Sequence, residues 1–132
     1  MDVVALDRFI VEAKRQTYVG DGVKAIASPA GAHDLTFVEG DWSYRDTYFG
    51  GTNFLGQETV WLRDELVWAM NYYGYILRRD LIDASQAGAT IQAALSAMYA
   101  EGRFLGGFEW RGPHGTYLDS TTGDAAHFQV AR

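Results

Sequence analysis

The stretch DWSYRDTYFGGTNFLGQETVWLRDELVWAMNYYG, residues 41–74, decides how this chain is read. It holds three of the four tryptophans and four of the eight tyrosines. Its aromatic and β-branched residues fall into runs of strand length with turn residues between them. Residues 42–49 alternate with period two, placing Trp42, Tyr44, Asp46 and Tyr48 on one face and Ser43, Arg45, Thr47 and Phe49 on the other. Gly50-Gly51-Thr52-Asn53 makes a turn. Residues 57–62 and 66–73 then form a hairpin through Arg63-Asp64-Glu65. On its second strand Trp68, Met70 and Tyr72 share one side, while Val67, Ala69, Asn71 and Tyr73 share the other.

Upstream, residues 33–38 predict one more strand, turned by Glu39-Gly40-Asp41. Residues 20–31 are glycine-rich and predict a loop, with a short strand at 23–26. Residues 3–16 predict an amphipathic helix. Leu6, Phe9, Ile10 and Ala13 make its stripe, Asp2 is its N-cap, and Gly20 follows soon after its end. Lys14, near that end, is favoured by the helix dipole and needs no function.

Downstream, residues 87–100 predict a second helix on the stripe Ile91, Leu95 and Met98, stopped by Gly102. Residues 81–85 add a turn before it, and Gly88 is its weak point. Runs at 104–110, 116–120 and 126–130 predict further strands. Tyr44-Arg45-Asp46, Gly50 and Phe54 are echoed by Tyr117-Leu118-Asp119, Gly123 and Phe128. Two helix-plus-meander halves would make one α+β domain over residues 1–132. Its architecture would be an antiparallel meander of about six to seven strands with two principal helices on one face.

Composition narrows the chemistry. Eleven Lys and Arg against 17 Asp and Glu leave a net charge of −6, which argues against nucleic-acid binding by this domain alone. With no cysteine there is no disulfide, thiolate metal site or cysteine nucleophile, and the lack suits a reducing compartment. The opening MDVVALDRFIVEAKR has no basic leader, and Asp2, Asp7 and Arg8 break its apolar run. It predicts neither a signal peptide nor a membrane span, and a cytoplasmic protein.

FIVEAKRQTYVGDG, HDLTFVEGDWSYRDTYFGG and WAMNYYG together resemble a small bacterial domain family of unknown function, found alone or behind Xre-type helix-turn-helix segments. The resemblance covers residues 9–74 well and 104–128 loosely, where FLGGFEW opens a second block. It implies no catalytic residues. No helix-turn-helix precedes this domain, and the resemblance implies a further strand beyond Arg132.

The strongest candidate site combines Trp42, Tyr44, Asp46 and Tyr48 with Trp61, Trp68, Asn71 and Tyr73. Aromatic walls with a few fixed polar groups suit a small ligand. Strict alternation sets Trp68 opposite to Asn71 and Tyr73, so the eight share a face only through a bulge. The competing reading is an aromatic core. A carboxylate pair, Asp46 and Glu58, on neighbouring strands with His33 would instead suit a hydrolase. His33, His114 and His127 lack metal-ligand spacing, so no metal or cofactor is expected. Gly20-Asp21-Gly22 lacks the context of a phosphate loop. These residues favour a non-catalytic binding or sensor module for a small molecule or peptide. The alternatives are the hydrolase and a homodimerising module.

Overall fold

The first helix and the sheet beneath it place everything that follows. The computed structural model describes residues 2–19, 23–24 and 30–126. The Gly20-Asp21-Gly22 motif, His127, Phe128 and most of the last expected strand lie outside these residues. Helix α1 (Val3–Lys14) starts where the Asp2 carboxylate accepts the N–H groups of Val4 and Ala5, at 3.0 and 3.3 Å. Its apolar stripe is buried as expected, and Lys14 is buried with it. Past Lys14 the helix widens into a π-helical turn, Arg15–Val19. There the buried Thr17 hydroxyl donates to the Ala13 carbonyl at 2.7 Å.

Four full-length antiparallel strands follow one another along the chain: β2 (His33–Glu39), β3 (Trp42–Gly50), β4 (Phe54–Leu62) and β5 (Glu65–Gly74). A two-residue strand, β1 (Val23–Lys24), pairs with β2 at the outer edge. The β4–β5 turn puts Arg63 and Asp64 at φ 49° and 66°, the left-handed geometry that matches a two-residue hairpin to the twist of its strands. Register is set by side-chain alternation. Tyr44 stands between Phe37 and Val60, and Asp46 between Leu35 and Glu58.

One face of this sheet is closed by α1. Leu6, Phe9, Ile10 and Ala13 form a buried core with Tyr44, Val60 and Trp68. Phe9 stacks on Trp42 at 5.5 Å, and Trp68 meets Phe104 edge to face. Helix α2 (Ala84–Ala100) adds Met98 and Tyr99 to the same core. It begins at Asp83, which forms a reciprocal capping box with Gln86, and Gly88 sits exposed within it. Its deepest stripe is Ala87, Thr90, Ala94 and Met98, while Ile91 and Leu95 are half-buried.

The expected single meander is not what forms. Strands β6 (Phe108–Arg111) and β7 (Thr116–Asp119) make a separate two-stranded sheet that packs against α2. The reason lies at Gly106 and Gly107, whose φ values of 98° and 82° are left-handed. They turn the chain in the middle of the expected 104–110 strand, so Phe104 drops into the core and only Phe108 onward is extended. No helix among the described residues is long and apolar enough to cross a membrane.

Candidate functional site

Beneath α1 the core is not wholly apolar. Lys14 reaches down from the helix and its Nζ donates to both oxygens of Glu58, each at 2.8 Å. The Tyr44 hydroxyl donates to Glu58 Oε1 at 2.5 Å. Asp46, paired with Glu58 across the β3–β4 ladder, accepts the Tyr72 hydroxyl at 2.6 Å. The Tyr99 ring lies 5.6 Å below the lysine ammonium. Glu58 and Asp46 are only 1% and 2% exposed, so this is a cluster of ionisable groups inside the fold.

Lys14 therefore has a stronger partner than the helix dipole, which corrects the expectation from sequence. A signal was present: Lys14 lies four residues after Ile10, on the stripe that faces the core.

The electrostatics follow from two carboxylates sharing one cation. Burial, and then repulsion from Glu58, push Asp46 up to about 7, against the Tyr72 hydrogen bond and the pull of Lys14. Burial alone would lower Lys14, but Glu58, Tyr99 and Asp46 together outweigh it and the ammonium is held above its ordinary range. Burial and the adjacent Glu58 likewise raise the Tyr44 hydroxyl.

Gly56 makes the Tyr72–Asp46 bond possible. It stands between Tyr48 and Tyr72 in the register, and a Cβ there would lie 2.5 Å from the Tyr72 hydroxyl and 2.7 Å from Tyr48 Cβ. Tyr72 leans across the space a side chain would fill. Gly56→Ala is thus expected to expel the Tyr72 hydroxyl from Asp46 and cost about 1–3 kcal/mol. A urea titration beside Tyr72→Phe checks this: the two losses should overlap, and fully additive losses in the double variant would separate them.

The eight residues singled out from sequence do not form one surface. Trp42, Tyr44, Asp46, Tyr48 and Trp68 lie on the face under α1, with Tyr44, Asp46 and Trp68 buried and Trp42 and Tyr48 half-buried. Trp61, Asn71 and Tyr73 point to the outer face. A bulge is present between Val60 and Trp61, but it shifts only the Leu66 end of β5, so Asn71 and Tyr73 keep their alternation. Asn71 accepts a hydrogen bond from Gln57 at 3.0 Å in the open.

On the same face as the cluster, at the start of β2, His33 is exposed and stacks on Tyr48 at 4.9 Å. His114 is exposed between β6 and β7. Among the described residues no three His, Asp or Glu side chains gather as a metal site. A shallow cavity of about 200 Å³ lies elsewhere, lined by Thr52, Ile76, Arg79, Ile82, Asp83 and Ala84 without an aromatic wall.

One family profile, described as a domain of unknown function (DUF5680), matches residues 46–131. The match lies further toward the C-terminus than the resemblance carried by residues 9–74. It takes in Asp46, Glu58 and Tyr72 and leaves α1 with Lys14 outside. No curated protein and no solved structure matches the chain.

Proposed function

We propose that this chain, which belongs to the DUF5680 family of domains of unknown function, is a non-catalytic binding module. Its site is the cluster of Lys14, Glu58 and Asp46, entered beside Tyr48 and Tyr72. The observation that carries this reading is the burial of two carboxylates and an ammonium in a face otherwise filled by apolar side chains. Apolar residues of similar volume would hold the helix to the sheet at least as well. Perturbed ionisable groups kept at such cost gather where ligands bind.

A small molecule is favoured over an extended peptide, since Asp46 is only 2% exposed and lies behind the half-buried Tyr72 that bonds it. Such a ligand takes the place of the Tyr72 hydroxyl on the carboxylate. Because Lys14 ties α1 to the same cluster, occupancy is read out in how firmly the helix is held. The hydrolase reading has less support. His33 belongs to this face, but its ring stacks on Tyr48 and hydrogen-bonds to neither carboxylate among the described residues.

A thermal-shift screen of small polar metabolites tests the proposal. A ligand at a hundred times its Kd adds about 2.7 kcal/mol, which for a domain of this size is a rise of about 10 °C. The rise is expected in the wild type, retained or enlarged in Tyr72→Phe, which has no hydroxyl for the ligand to displace from Asp46, and lost in Asp46→Asn. A rise that persists undiminished in Asp46→Asn puts the ligand elsewhere and ends this reading.

A further inference from the structure

The outer face of the sheet takes no part in that cluster, and its side chains on β3, β4 and β5 fall into four rows across the strands. The first row is apolar: Phe49, Leu55 and Tyr73 stand opposite one another, and Tyr75 lies parallel to Tyr73 at 6.3 Å. Leu55 is 60% exposed and Tyr73 77%. The second row is Thr47, Gln57 and Asn71, and the third is Arg45, Thr59 and Ala69. The fourth becomes apolar again with Trp61 and Leu66 beside Ser43, and Val38 of β2 stands next to it. From either end the order is apolar, polar, polar, apolar.

Charge sets this face apart as well. Arg45 of β3 and Asp34 of β2, which register sets beside Thr47, are the charged residues of this face, and they pair with each other. A face with no unpaired charge thus sits on a chain of net charge −6. Two copies meeting here bring no unpaired charges together, whereas a chain of this net charge is repelled by a second copy at long range.

We propose that this face docks a second copy of the same chain. A two-fold axis lying across the strands lays the first row of one copy on the fourth row of the other. It also sets the carboxamides of Gln57 and Asn71 over the Arg45–Thr59 row, so polar groups meet polar groups. Such self-complementarity is what an isologous contact requires. Strand spacing and rise give on the order of 500 Å² per copy, below the ~800 Å² per partner of a standard stable interface. The dimer is therefore a weak one that dissociates on dilution. It does not depend on the ligand-site reading, since no residue of the cluster lies on this face.

Sedimentation velocity from about 5 µM to about 500 µM, a range chosen to span a micromolar Kd, decides the matter. The wild type should move from the 14.7 kDa of one chain toward twice that mass as concentration rises. Leu55→Glu/Tyr73→Glu, both at exposed positions, should stay monomeric throughout with an unchanged circular dichroism spectrum. Leu118→Glu, on the exposed side of β7, should associate like the wild type. A wild type monomeric at every concentration overturns the proposal. So does association that survives Leu55→Glu/Tyr73→Glu, or that Leu118→Glu abolishes equally.

Discussion

Lys14→Met is expected to cost about 3–5 kcal/mol, the loss seen when one member of a buried ion pair is removed and the other stays. Methionine fills most of the volume and suits a helix, so the loss comes from Glu58 and Asp46 left side by side without a cation. For a domain whose whole stability is about 5–15 kcal/mol, that is a large share. Lys14→Met/Glu58→Gln should recover most of it, because the amide is uncharged and its oxygen still accepts from Tyr44. Urea unfolding of the wild type, both single variants and the double variant gives the coupling directly. A Lys14→Met loss below about 1 kcal/mol would mean that Lys14 does not neutralise the cluster.

Asp46→Asn is expected to stabilise the domain above pH 7 and to do progressively less toward pH 4. In the folded chain Asp46 is raised to about 7 from its ordinary 3.8 by burial and by Glu58. Between those values the folded chain holds a proton that the unfolded chain has released. Stability from this group is therefore present at the acid end, falls as pH rises through that window, and is level above it. Each tenfold difference in proton affinity is worth about 1.4 kcal/mol. Asparagine carries no titrating group and can still accept from Tyr72, so it removes the slope. Urea midpoints of both proteins at pH 5 and pH 8 suffice. An equal gap at the two pH values means that Asp46 titrates like a carboxyl in water.

Residues 33–74 were legible in the sequence because each strand carries its own alternation and each turn its own chemistry. Helix α1 was legible for the same local reason. The second half misled through similarity. Phe54-Leu55-Gly56 and Phe104-Leu105-Gly106 are the same tripeptide, yet the first runs straight in β4 and the second turns left-handed at Gly106. What differs is the next residue: Gln57 continues a ladder, while Gly107 permits a second left-handed step. In the sequence Asp46 stands with Asn71 as a polar group among aromatics, and Glu58 enters only as its partner in the hydrolase alternative; alternation puts Asn71 on the outer face instead. Lys14 was passed over because charge near a helix end has an ordinary explanation, and only the docking of α1 shows which way it points. Period-two alternation divides the eight candidate residues between faces, and the bulge lies at the wrong end of β5 to reunite them.

The partners of α1 all come later in the chain, and their distance has a consequence for synthesis. Leu6, Phe9 and Ile10 wait for Tyr44, Val60 and Trp68, and Lys14 waits for Glu58, 44 residues away. On the ribosome the helix emerges first and has no surface to lie on until the hairpin from β4 to β5 is out. The lysine in its apolar stripe keeps one hydrated charge on that face during the delay. It goes out of water only when the carboxylate that receives it is in place.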